Sequence, residues 1–196
     1  MKKKTIALVL ACILCVGIGV GGTLAWLTDS TDTVTNTFTT SDIDSTLTET
    51  GATDNANSYK MVPGYTISKD PKVTVSADSE DCWLFVKLEK STNFDTYMEF
   101  VVDSGWTAGT GTAAGQNGVP VGVYFREITS TGKNTPLSVL KDDQVIVKGT
   151  VTKALMETAE ESKPTLTVTA YASQLYKNNT EKFTAAEAWT NAQPTT

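Results

Sequence analysis

Several runs of this chain place apolar residues at every second position, with threonine or another polar residue between them. "LTVTAYA" sets Leu166, Val168, Ala170 and Ala172 on one side and Thr167, Thr169 and Tyr171 on the other. "VIVKGTVT" puts Val145, Val147 and Val151 together against Lys148, Thr150 and Thr152. "VGVYFREI" sets Val121, Val123 and Phe125 against Tyr124 and Arg126, and "KVTV" adds Val73 and Val75. A period of two is the mark of a strand with one buried face. "CWLFVKLE" differs. Cys82, Leu84, Val86 and Leu88 share one side, but Trp83 and Phe85 make the other side apolar too, which predicts a central strand covered on both faces.

Turn residues separate the runs. Pro63-Gly64 is a turn pair between "YKMV" and "YTIS", and Gly105–Gly118 reads as a flexible glycine-rich loop. Helical patterns are confined to Ala154–Glu161, ended by Pro164, and Ala185–Trp189. Short strands at even spacing with little helix predict an all-β fold, an antiparallel sandwich of jelly-roll type with one or two short helices.

The chain's first 25 residues follow another pattern. Lys2, Lys3 and Lys4 precede an uncharged apolar run from Ile6 through Ala25. A basic start, an apolar stretch and small residues make a secretory signal peptide, and Thr23 and Ala25 meet the small-residue rule for a cut before Trp26. Two alternatives stand beside it. Ile6 to Leu27 is long enough to cross roughly 30 Å of hydrocarbon as an uncleaved anchor, although glycines crowd its outer end and no positive cluster follows. Val9-Leu10-Ala11-Cys12 loosely resembles a lipoprotein signal, but the apolar run before Cys12 is short and continues after it. The expected organisation is a signal peptide at 1–25, an extended polar arm at 26–42 and one sandwich domain at 43–196.

Charge and composition narrow the function. The chain holds 16 basic and 22 acidic residues, and three of the lysines lie in 1–25 without any acid, so the remainder carries 13 basic residues and a net charge of −9. With Arg126 as its single arginine, such a surface argues against nucleic acid, and against a membrane except through the signal segment. Beyond the signal only Cys82 remains, so no intrachain disulfide is expected there; export without disulfides fits Gram-positive secretion. Histidine is absent, which removes the commonest general base and every His-based zinc site.

Other candidate chemistry is thin. Ser138-Val139-Leu140-Lys141 has the Ser-x-x-Lys spacing of penicillin-recognising enzymes without their companion motifs. "GTGTAAG" lacks the spacing and the Lys-Ser/Thr of a nucleotide loop. Asp29, Asp32, Asp42 and Asp44 could offer oxygens to calcium, but not at EF-hand spacing, and Cys82 reads as a buried small hydrophobe. No catalytic residue, metal or cofactor is expected.

"GGTLAWLTDSTDTVTNTFTTSDIDSTL" (21–47) resembles the start of the TasA/camelysin family: Gly21-Gly22-Thr23, then Trp26 and Asp29, a threonine-rich stretch to Phe38, and Asp42-Ile43-Asp44. "MVPGYTISKDPKVTV" and "TLTVTAYASQ" are similar to its Pro-Gly turn and closing strand; the middle of the chain and "FTAAEAWTNA" are not. The resemblance implies a jelly-roll subunit of biofilm-matrix fibres, exported by Gram-positive bacteria into the extracellular matrix or onto the cell surface. It implies processing by a dedicated SipW-type signal peptidase and other matrix components as partners. It also implies head-to-tail homopolymerisation by donor-strand exchange. Val34 and Phe38 share one face of the arm and would be the apolar donor residues. The metallopeptidase activity attached to camelysin-type members is not expected without histidine. The alternative reading is a monomeric secreted or cell-surface binding module of the same fold, with ligands at the loop around Gly109–Asn117.

Overall fold

The computed structural model describes residues 42–53 and 57–193, all within a compact unit of residues 40–196. The fold there is all-β: ten strands, every ladder antiparallel, with three short helices and one 3-10 turn.

The strands are β1 (Ser45–Thr48), β2 (Thr66–Ser68), β3 (Lys72–Val75), β4 (Cys82–Lys90), β5 (Met98–Glu99), β6 (Thr107–Ala108), β7 (Val123–Ile128), β8 (Leu137–Ser138), β9 (Gln144–Val147) and β10 (Leu166–Gln174). The helices are α1 (Phe94–Tyr97), α2 (Lys153–Glu161) and α3 (Ala185–Ala192). Three sheets form, in the orders β10–β4–β7–β6, β1–β3–β8 and β2–β9–β5.

The two smaller sheets are joined by their backbones. Lys69 N–H donates to the Asp143 carbonyl (2.9 Å) and Val139 N–H to that of Pro71 (3.0 Å). Thus β2 and β3 are two pieces of one run, as are β8 and β9, broken by the 3-10 turn at Lys141–Asp143. Asp142 and Asp143 take φ of 56° and 53° there, a left-handed conformation that Asp tolerates better than most residues. Pro63-Gly64 forms the expected turn: Tyr65 N–H donates to the Val62 carbonyl (3.0 Å), and Gly64 takes φ 82°, as the third residue of a type II turn requires.

β4 is buried on both faces, as its composition predicts. One face, with Leu84 and Val86, packs on Val73, Val75, Val139, Leu140, Val145 and Val147 from the smaller sheets. The other face, with Phe85 and Trp83, packs on Phe125, Val123 and Tyr171 and is roofed by α3. Trp189 of α3 lies 5.3 Å from Phe85 and 5.2 Å from Tyr171 between ring centroids. Helix α3 runs three residues beyond its predicted end. Its start is held by a capping box, in which Thr184 Oγ1 accepts from Glu187 N–H and the Glu187 carboxylate accepts from Thr184 N–H. Losing such a cap by Thr184→Ala should cost about 1 kcal/mol in thermal unfolding.

The Glu187 carboxyl is held down to about 2, first by Lys177 and then by the backbone N–H and hydroxyl of Thr184. A pKa depressed in the folded state stabilises above the ordinary carboxylate value of 4.5 and ceases to do so as pH falls toward about 2. Docking of α3 should therefore weaken across that window. Near-UV circular dichroism of the Trp189 cluster would show it, and Glu187→Gln should remove the pH dependence.

Three expectations change. Gly105–Gly118 is more structured than a flexible loop: Trp106 is buried, β6 pairs with β7, and Asn117 organises the rest. The Asn117 side chain accepts from Thr110 and Val119 N–H and donates to the Ala108 carbonyl. Gly109 is obligatory, since a Cβ there would stand 2.2 Å from the Pro120 carbonyl oxygen. Val121 does not join Val123 and Phe125 on their buried face. It is 77% exposed, because β7 begins only after the turn at Gly122, where φ is 88°. Helix α1 has no counterpart in the apolar alternation; its buried Phe94 and Tyr97 fill the core beside β5.

Candidate functional site

Thr23, Ala25 and Trp26 of the cleavage region lie outside the described residues, as do Val34 and Phe38 of the arm and Asp29 and Asp32. The described chain enters at Asp42. The Asp42 carbonyl accepts from Glu80 N–H (3.2 Å), and the Asp44 carbonyl accepts from Ser76 N–H (2.9 Å) and the Ser79 hydroxyl (3.1 Å). These bonds seat the start of β1 beside the turn that leads into β4.

Candidate chemistry within the described residues resolves into structural contacts. Burial pushes the Cys82 thiol up to about 11, so it stays protonated and unreactive near neutral pH. Ser138 sits in β8 with its carbonyl accepting from Trp106 Nε1–H (2.8 Å), and Lys141 opens the 3-10 turn, so the two are not placed on one helical turn. No group of three or more His, Cys, Asp or Glu side chains is placed to hold a metal ion among the described residues. No helix among them is long and apolar enough to cross a membrane.

Glu49, at the end of β1, binds Lys69 Nζ (2.9 Å), Tyr59 Oη (2.5 Å) and Asn57 Nδ2 (3.0 Å). Burial alone would raise its pKa, but these donors outweigh burial and lower it. Burial and the Glu49 carboxylate push the Tyr59 hydroxyl up to about 12. A carboxylate kept ionised beside a phenol kept neutral is a clamp, and it ties β1 to the segment before β2.

One groove of about 280 Å³ lies where the end of β4 meets β5 and β7, lined by Leu88, Lys90, Asp95, Phe100 and Tyr124 among others. Lys90 Nζ is engaged there by the Asp95 carboxylate (2.7 Å) and lies 6.0 Å from the centroid of the Phe100 ring.

The sheet edges hold the domain's unspent hydrogen-bonding capacity. β10 is nine residues long and, among the described residues, pairs with β4 alone. Ser91 N–H donates to the Thr165 carbonyl and Leu175 N–H to that of Asp81, both at 3.0 Å, which sets the parity of the ladder. Odd-numbered residues of β10 exchange bonds with β4; Leu166, Val168, Ala170 and Ala172 turn N–H and C=O outward. Among the described residues no backbone bond reaches these outward groups. The same four side chains point into the core but are only partly buried, so the core's margin runs along this edge. β1 lies near β10 without a hydrogen bond between them, and its Leu47 is 38% exposed. The outer strands β2, β5 and β6 have three, two and two residues.

No protein-family model, curated protein or solved structure significantly matches the chain.

Proposed function

We propose that this protein is a secreted structural subunit of an extracellular fibre, built on a jelly-roll-like sandwich and joined to its neighbours by an N-terminal donor strand. The fold reading rests on nested pairing. Counting β2–β3 and β8–β9 as single runs, and the run through β5 as another, the described residues form eight strand runs. The second pairs with the seventh and the third with the sixth. Such nesting is what a hairpin rolled into a sandwich produces.

The fibre reading is carried by one observation: among the described residues the sheets end in open edges, which could take up a further strand. The residues that resemble the TasA/camelysin family supply a strand to add, with Val34, Asn36 and Phe38 on one face and Thr33, Thr35, Thr37 and Thr39 on the other. No catalytic role is proposed, and the absence of histidine removes a His-ligated zinc peptidase. Negative-stain microscopy of the secreted protein tests the reading. Filaments support it; dispersed monomers at every concentration would favour a secreted binding module.

Export makes its own prediction. N-terminal sequencing of the secreted form should read Trp26-Leu27-Thr28. A lipid-blocked terminus at Cys12, or a full-length membrane-held chain, would overturn cleavage after Ala25.

A further inference from the structure

Resting on the fibre reading above, we propose that the acceptor is the outer edge of β10, and that its occupant is the segment around Val34–Phe38 of a second copy. In the nested pattern, after the second–seventh and third–sixth pairs, the pair that would close the roll is the first with the eighth, β1 with β10. Among the described residues that ladder is unmade. Hydrogen-bonding groups of Leu166, Val168, Ala170 and Ala172 face outward with no backbone partner among the described residues, and such groups at a partly buried margin favour a strand that can meet them.

Size and pattern fit the same occupant. β10 spans about 30 Å at 3.4 Å per residue, long enough to bond a donor along several residues, whereas β2, β5 and β6 offer two or three residues each. The core-facing row of β10 ends in two small side chains, Ala170 and Ala172, neither fully buried. A donor with Val34 and Phe38 on its inward face, and Asn36 between them on that same face, sets two large apolar residues beside small ones at this margin. Its threonines would then lie alongside Thr167 and Thr169 on the opposite face. Arm and edge are different surfaces, so each copy donates at one and accepts at the other, and the contact propagates instead of closing into a dimer.

Two measurements on the secreted protein with its arm intact test the assignment. Ala170→Pro removes an N–H that faces the open edge and spares the β4 ladder, which the odd-numbered residues make. The critical concentration for polymerisation should rise about tenfold or more, with the melting temperature little changed. Because a proline can also disturb folding, the second measurement keeps the edge intact. Copies carrying Thr35→Cys or Thr37→Cys are mixed with copies carrying Thr167→Cys, Thr169→Cys or, as a control edge, Ser68→Cys, under mild oxidation. Cys82 is buried and does not compete. Disulfide-linked pairs through Thr167→Cys or Thr169→Cys, and none through Ser68→Cys, are expected. Filaments that form without a β10 cross-link, or that cross-link at Ser68→Cys, would overturn the β10 assignment and leave the fibre reading standing. A third form carrying both Thr37→Cys and Thr169→Cys serves as a check: if it cross-links within itself while the mixed single-cysteine copies do not cross-link, the second copy as occupant is overturned. Absence of filaments and of cross-links alike would sink both.

Discussion

Val86→Asp should unfold the domain. Val86 is fully buried at the centre of β4, opposite Ala170 on one side and Tyr124 on the other, and its side chain points into the core shared with the smaller sheets. The core around it is almost wholly apolar, with no cation among the residues of that cluster. Burying an unpaired carboxylate there costs several kcal/mol, against a usual domain stability of about 5–15 kcal/mol. Protonation would lessen the charge penalty but would leave a polar group in an apolar setting and lose the valine's packing. The melting temperature should fall by tens of degrees or the protein should fail to fold. Val121→Asp is the paired control. Val121 stands 77% exposed, so the same substitution there should leave the melting temperature nearly unchanged. Equal melting temperatures for wild type and Val86→Asp would contradict the burial of β4.

Removing the arm should abolish assembly and spare the fold. A form beginning at Ile43 keeps every strand described above and the core around β4. On the proposed fibre reading it can accept a donor but cannot supply one. Alone it should remain monomeric; added in excess to intact protein it should cap growing ends and shorten the fibres. Phe38→Asp in the full arm should act in the same direction. Burial of a Val and a Phe side chain contributes roughly 1.5–3 kcal/mol each, and the donor's main-chain hydrogen bonds add about 1 kcal/mol apiece. Loss of the phenylalanine alone is then worth one to two orders of magnitude in affinity. Light scattering and negative-stain microscopy of the three forms in one buffer provide the measurement. A truncated protein that polymerises as well as the intact one would show that the arm is only a leader.

These two expectations draw on different levels of information. The alternation of Leu166, Val168, Ala170 and Ala172 with Thr167, Thr169 and Tyr171 is written in the chain, and it determines which side of β10 turns toward the core. The double-sided apolar pattern of Cys82–Leu88 marks β4 as central, and two helical patterns with Pro164 beyond the first mark α2 and α3. Such signals are local. Side-chain period depends only on backbone geometry within one element, so neighbouring residues suffice to specify it.

Partnership is not local, and there the tertiary structure decided. Nothing within Trp83 and Phe85 says that their cover is α3, a hundred residues later in the chain, and nothing in "GWTAG" says that Trp106 is buried beside β7. Val121 fits the alternation of Val123 and Phe125, yet the turn at Gly122 ends the ladder before it and leaves it in solvent. Whether β10 is an interior strand or an edge is likewise invisible in its nine residues. An edge is defined by the absence of a second hydrogen-bonded neighbour, and that depends on where every other strand has gone.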